Sequence, residues 1–121
     1  MKKYFPLIVL CFLTISCSDE SNDDIQVERN MTLNINEEHN ELLSLERDQR
    51  THTITRQANI FETSEINQTL NASDEEMSFF TFKPQDSFTG EETVIITTIE
   101  TSSENVNNSR KITTTYNFTI Q

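Results

Sequence analysis

Strict two-residue alternation over residues 111–120 is the feature that most constrains the fold of this chain. Every second residue falls on the same face of a strand, and these residues are apolar except for one threonine: Ile112, Thr114, Tyr116, Phe118 and Ile120. The residues between them are polar: Lys111, Thr113, Thr115, Asn117 and Thr119. Alternation with period two predicts a β-strand with one face on a core and one in water. Strands of that kind are typical of antiparallel sheets.

Several earlier segments also have strand character. They are residues 31–35, 42–46, 51–56, 64–70, 77–82 and 93–101. Clusters of Asn, Ser, Asp and Glu separate them at intervals of roughly ten residues, as turns between short strands do. Residues 36–45 also fit one turn of helix, through Glu38, Leu42 and Leu45. We expect an all-β fold: an antiparallel β-sandwich of about seven strands, forming a single domain over residues 30–121.

Composition limits the classes of function. The chain has 121 residues, 34% of them hydrophobic, and a formal net charge of −11. A surface this acidic repels both the phosphates of nucleic acid and anionic lipid headgroups. We therefore expect no nucleic acid partner. The two cysteines, Cys11 and Cys17, both precede the predicted domain, which therefore contains no disulfide or thiolate metal site. We expect a monomer.

The first residues have the organisation of a lipoprotein signal peptide. Lys2 and Lys3 precede the apolar run Phe5–Leu13, which is too short to span a bilayer. Cys17 follows, and then an acidic stretch. This resembles a lipobox of the Bacteroidota type, cut by signal peptidase II before the cysteine, although Thr14 stands where leucine is usual. An ordinary secretory signal with a bystander cysteine is the alternative.

The resemblance implies that residues 1–16 are a signal peptide and that Cys17 carries lipid. It also implies attachment to the outer membrane through that lipid, with display at the cell surface or, alternatively, on the periplasmic face. Two or more acyl chains hold a protein firmly on a membrane. The polar, acidic residues 17–29 then form a disordered tether.

A second resemblance lies in residues 80–96, FTFKPQDSFTGEETVII. This segment is similar to the aromatic-x-Pro … Phe-x-Gly-x-acid-x-apolar signature of bacterial Ig-like and cadherin-like surface domains. In those domains the signature joins two strands across the top of a sandwich. The positions that carry the resemblance are Phe82, Pro84, Phe88, Gly90 and Glu92.

Elementary chemistry gives these residues structural roles. Pro84 ends a strand because it lacks a backbone donor, and Phe88 is expected to plug the end of the core. Gly90, the only glycine, is expected to take a backbone angle that a side chain forbids. Glu92 stands where the family often has aspartate, whose shorter side chain bonds nearby backbone. We therefore carry neither a capping bond nor a calcium ligand over to Glu92.

No catalytic or metal-binding motif is visible. His39 and His52 belong to no nucleophile or zinc motif and are expected to be strand or surface histidines. Calcium needs six to eight oxygen ligands, which the acidic residues could supply only by clustering at one end of the sandwich. Those residues are Asp74, Glu75, Glu76, Asp86, Glu91 and Glu92. We predict no enzyme activity, no cofactor and no metal.

The expected function is that of a non-enzymatic, membrane-anchored interaction module whose partner is another envelope protein. Binding is expected through loops or through a polar sheet face. The two candidate triplets on such a face are Thr51, Thr53 and Thr55, and Thr113, Thr115 and Asn117. The alternatives are a glycan-binding accessory lipoprotein and a small envelope inhibitor. Sugar-binding surfaces usually stack the sugar on exposed tryptophan or tyrosine. This sequence contains no tryptophan, and Tyr116 falls on a core-facing position, which weakens the glycan alternative.

Overall fold

The computed structural model describes residues 24–101 and 109–121. These contain seven β-strands: β1 (Asp24–Leu33), β2 (His39–Leu45), β3 (Arg50–Arg56), β4 (Thr63–Leu70), β5 (Glu76–Lys83), β6 (Gly90–Thr101) and β7 (Ser109–Ile120). A short 3₁₀ turn, Glu46–Asp48, joins β2 to β3. Residues 36–45 therefore contain a strand and not the alternative helical turn. In these two ranges, no helix is long and apolar enough to cross a membrane.

The strands form two sheets that pack face to face. The four-stranded sheet has the order β1-β7-β6-β3, and the three-stranded sheet has the order β2-β5-β4. All pairs are antiparallel except β1–β7, which is parallel. The predicted all-β sandwich of about seven strands is confirmed, and each predicted strand overlaps an observed one.

The beginning of β1 differs from the expected domain boundary. Residues 24–29, assigned above to the disordered tether, are the first part of a ten-residue strand. Each residue from Asp24 to Leu33 lies opposite one of β7, from Lys111 to Ile120. The composition of residues 24–29 is polar, but the parallel ladder supplies hydrogen-bond partners for the backbone groups that face β7. Cys17, the expected lipidation site, lies outside the described residues.

The core lies between the central strands of the two sheets. Phe80 and Phe82 of β5 are 0% exposed, and Tyr116 and Phe118 of β7 are 2% and 1% exposed. The ring of Phe82 stacks on that of Phe118, with centroids 4.3 Å apart and planes 6° from parallel. The prediction that Tyr116 faces the core is confirmed. These four aromatic side chains hold the sheets together.

The connection from β5 to β6 has the structure expected from the signature residues. Pro84 directly follows β5 and is fully buried. Phe88 packs against the core cluster, as expected of a plug. Gly90 begins β6 with a φ of 141°, a conformation that L side chains rarely adopt. A Cβ at this position would lie 2.9 Å from Cζ of Phe88, so Gly90 is required both by its backbone angle and by the ring beside it.

Glu92 does make a capping interaction, which we did not expect from a side chain longer than aspartate. Its side chain is buried, and it turns toward the connection between β3 and β4. The backbone N–H of Asn59 donates to Oε1 (2.8 Å) and that of Ile60 to Oε2 (3.2 Å). The longer side chain spans the distance from β6 to this loop, 33 residues away in sequence. Glu92 thus fixes one loop at the same end of the sandwich as Gly90.

Replacement of Gly90 by alanine is expected to destabilise the domain. The variant combines a disfavoured backbone angle with a contact against Phe88, and such strain costs on the order of 1–3 kcal/mol. Urea denaturation followed by circular dichroism measures the change in the free energy of unfolding. The neighbouring Thr89→Ala, at an exposed position, should change it by less than about 0.5 kcal/mol. Equal stability of Gly90→Ala and wild type would contradict this account.

Candidate functional site

The outer face of the four-stranded sheet presents a largely polar surface, which we call the polar face and which also includes Ile95 and Ile99 of β6. Because side chains alternate along a strand, the residues next to the buried ones point outward. The outward side chains are Gln26, Glu28, Asn30 and Thr32 of β1; Thr113, Thr115, Asn117 and Thr119 of β7; Glu91, Thr93, Ile95, Thr97 and Ile99 of β6; and Thr51, Thr53 and Thr55 of β3. The structure thus brings both predicted triplets onto one surface, with β6 between them.

Threonine hydroxyls lie in register across three strands of the polar face. Thr53 is opposite Thr97, and Thr97 is opposite Thr113. Gln26 continues the row on β1. The hydroxyl groups of Thr55 and Thr97 lie 3.0 Å apart and share a hydrogen bond. This row is a dense array of donors and acceptors with small, stiff side chains, since the β-branch of threonine restricts χ1.

A second hydrogen-bonded group spans β6, β7 and β1 on the same face. The Thr93 hydroxyl donates to Oδ1 of Asn117 (3.0 Å). Nδ2 of Asn117 donates to Oδ1 of Asn30 (3.0 Å) and to Oε2 of Glu28 (2.9 Å). Asn117 is thereby held in one orientation by neighbours on both adjoining strands. The group is preorganised, so a ligand that binds here need not order these side chains.

Two concavities open on the polar face. One has a volume of about 270 Å³ and is lined by Asn30, Glu91, Thr93 and Asn117, together with Glu92, Phe118 and Thr119. The other has a volume of about 370 Å³ and is lined by Gln26, Val27, Glu28 and Thr115. Both are shallow and predominantly polar. This surface can offer hydroxyl, amide and carboxylate groups to a partner.

A separate polar cluster closes the gap between β1 and β2 at one side of the sandwich. Arg29 Nη1 donates to Oε2 of Glu41 (2.7 Å), and the Tyr116 hydroxyl donates to the same oxygen (3.0 Å). His39 Nε2 lies 3.0 Å from Oε1 of Glu41. The Arg29 guanidinium also lies over the Tyr116 ring, 5.5 Å from its centre. Glu41 therefore has three polar partners, and two of them, Arg29 and Tyr116, join it to the opposite sheet.

Electrostatics keep Glu41 ionised in this cluster. Burial favours the protonated carboxyl, but the hydrogen bonds from Arg29, His39 and Tyr116 outweigh it and hold the pKa of Glu41 below its ordinary value. Burial, with the adjacent carboxylate of Glu41, raises the pKa of Tyr116 well above its usual range. The sequence signal available for this cluster was the His39-x-Glu41 spacing, which places both side chains on one strand face. Their partners on β1 and β7 follow only from the tertiary structure.

His52 forms a hydrogen-bonded chain between the sheets. Its Nε2 lies 2.7 Å from Oγ of Ser44, and its Nδ1 lies 2.7 Å from Oγ1 of Thr98. Ser44 and Thr98 are 5% and 6% exposed. In a hydrolytic triad a carboxylate bonds the second ring nitrogen and stabilises the imidazolium; here that place is taken by a neutral hydroxyl. Burial, together with the charge of Arg50, lowers the pKa of His52. The chain satisfies three polar groups inside the sandwich.

The acidic residues considered for calcium do not cluster at one end of the sandwich, so that possibility is wrong. Asp74, Glu75 and Glu76 lie at the start of β5, whereas Asp86 and Glu91 follow its end. Eight residues of strand separate the two groups, a distance of about 26 Å. Over residues 24–101 and 109–121, no group of three His, Cys, Asp or Glu side chains is placed to hold a metal ion.

No protein-family model and no curated protein sequence matches this chain. Among solved structures, it is similar to a cysteine protease inhibitor from Entamoeba histolytica (TM-score 0.48, 12% identity), over 81% of this chain and 95% of the inhibitor. A family 107 endo-fucoidan hydrolase (TM-score 0.40, 17% identity) matches over 84% of this chain and 13% of its own. The extracellular cadherin domains of protocadherin gamma B7 (TM-score 0.34, 10% identity) match over 82% and 24%. These likenesses concern the β-sandwich fold alone.

The lowered pKa of His52 predicts a pH dependence of stability. An unfolded histidine takes up a proton near pH 6.5, whereas folded His52 takes it up only at lower pH. The unfolded state then binds more protons, so the free energy of unfolding falls as pH decreases below about 6.5. Urea unfolding at pH 7.5, 6.5 and 5.5 measures this loss. His52→Gln removes the titrating group and should have a flatter profile; equal slopes for both proteins would refute the assignment.

Proposed function

We propose that this chain is a non-enzymatic outer-membrane lipoprotein that presents its sandwich domain to another envelope protein, which it binds through the polar face. The observation that carries the proposal is the assembly of both polar triplets into one preorganised surface with two concavities. The polar face is built from regular strands and not from loops, so its groups have fixed spacing. Such a surface suits recognition of a folded partner by complementary hydrogen bonds.

Attachment to the membrane rests on the resemblance of the first residues to a lipoprotein signal. Asp24, the first residue of β1, is seven positions after Cys17, with six residues between them. A chain of that length spans at most about 25 Å. A lipid on Cys17 would therefore keep the domain close to the bilayer, and the acidic composition of the domain would not itself draw it onto anionic lipid.

Charge and chemistry narrow the kind of partner. A chain with a net charge of −11 favours partners with a basic surface, because complementary potentials steer association. Most of the outward side chains of the polar face end in neutral hydroxyl or amide groups. Such groups form hydrogen bonds with a partner without the desolvation cost of a charge. The neutral hydroxyl partners of His52 and the burial of Ser44 support a structural role for that chain of residues.

Substitution of Cys17 tests the anchor. Cys17→Ser removes the thiol that would be acylated, so the variant should remain unprocessed or be released in soluble form. Membrane fractionation and metabolic labelling with palmitate measure both outcomes, with Cys11→Ser as the matched control because that residue lies in the removed segment. Unchanged membrane retention and unchanged labelling of Cys17→Ser would rule out lipidation at this cysteine.

Photo-crosslinking in intact cells tests the polar face. A benzoylphenylalanine at Thr53, which is exposed at the middle of β3, should give a discrete crosslinked protein band. The same group at Asp86, on the exposed connection between β5 and β6, should not. Absence of a band at Thr53, or the same band at both positions, would contradict protein binding through this face. Binding of the purified protein to a glycan array without any protein adduct would favour the glycan alternative.

A further inference from the structure

The open edge of β4 is a second surface with the properties of a binding site. β4 lies at the outer edge of the three-stranded sheet and, among the strands of residues 24–101 and 109–121, pairs only with β5. Its eight residues pair with β5 in continuous register, from Thr63 opposite Lys83 to Leu70 opposite Glu76. The last four residues, Asn67 to Leu70, are all exposed. One row of backbone groups along this strand therefore faces away from β5. Nε2 of Gln57 donates to the Ser64 carbonyl (3.1 Å) near the start of the strand, so the open part of the edge is the second half, Asn67 to Leu70.

The other three edge strands of the described domain are protected in ways that β4 is not. β1 has charged residues at Asp24, Glu28 and Arg29. The register of β2 is broken by an irregularity between Leu42 and Ser44. That of β3 is broken between Ile54 and Arg56. Charges and bulges are the devices by which proteins prevent pairing with a further strand.

β4 has one charge, Glu65, and no break in register. Ser64 is buried and Ile66 packs against the core, so the even-numbered side chains face inward. Leu70 lies on the same side but is 62% exposed, more than the other large apolar side chains of the described residues. A strand added beside β4 would cover Leu70 on its inner side and meet Glu65 on its outer side.

We propose that β4 binds an extended, basic segment of a partner protein as an additional strand of the three-stranded sheet. The backbone of the segment would supply the missing ladder partners, and alternate side chains would be apolar toward Leu70 and basic toward Glu65. The net charge of −11 argues for this occupant over a second copy of the chain, because two such acidic molecules repel each other. This edge belongs to the opposite sheet from the polar face, and its binding does not depend on lipid at Cys17.

The test uses the full chain and a synthetic eight-residue peptide of alternating valine and lysine. Hydrogen exchange measured by mass spectrometry should show slower exchange in Thr63–Leu70 when the peptide is bound. Thr69→Lys, which places a charge on the open edge, should weaken binding about tenfold in fluorescence anisotropy. Thr89→Lys is the matched control: it adds the same charge at an exposed position of the connection between β5 and β6, outside both the polar face and β4, and should bind as wild type does.

A peptide of the same sequence with N-methylated backbone separates strand addition from simple charge attraction. It retains the lysines but lacks the donors of a β-ladder, and it should not bind. Equal binding of both peptides, protection outside β4, or equal weakening by Thr69→Lys and Thr89→Lys would overturn the proposal. A concentration-dependent dimer in sedimentation that Thr69→Lys abolishes, without peptide binding to wild type, would identify a second copy as the occupant instead.

Discussion

Aromatic packing between β5 and β7 is the interaction on which the rest of the structure depends. Phe82 stacks on Phe118, and the rings of Phe80 and Tyr116 lie 4.9 Å apart. Full burial of a phenylalanine side chain contributes about 1.5–3 kcal/mol. β5 pairs with β2 and β4, while β7 pairs with β1 and β6, so contact between these two strands joins both sheets. A chain with only 34% hydrophobic residues thereby concentrates its apolar groups where they connect most strands.

The space around this core is filled by polar groups that satisfy one another. His52 bridges Ser44 and Thr98, and Glu41 accepts from Arg29 and Tyr116. Each of these networks joins strands of different sheets. Buried polar groups cost free energy unless they are hydrogen bonded, so they favour one relative position of the sheets. The apolar core supplies the attraction between the sheets, and the polar networks restrict how they can slide.

The two sheets present different chemistry to the surroundings. The four-stranded sheet exposes in-register threonine, asparagine and glutamine side chains, whose spacing is set by pairing in the middle of the sheet. The three-stranded sheet ends in β4, where backbone groups and not side chains are available. The first surface suits recognition by side-chain hydrogen bonds, and the second suits addition of a strand. The two surfaces lie on opposite sheets of one small domain and share no residue.

The sequence by itself determined the strands and the connection from β5 to β6, because both depend on local rules. Alternation with period two located the last strand, strand-forming residues between regularly spaced turns located the earlier ones, and Pro84 and Gly90 marked a turn whose geometry few other residues permit. Only the tertiary structure decided where β1 begins, since residues 24–29 are polar and become a strand through pairing with β7, nearly ninety residues away. It likewise decided the partners of Glu92, His52 and Glu41, because long-range contacts leave no periodic signal in a single sequence. The polar face was predicted in part. The sequence indicated which threonines point outward, but only the order of the strands in the sheet shows that they form one surface.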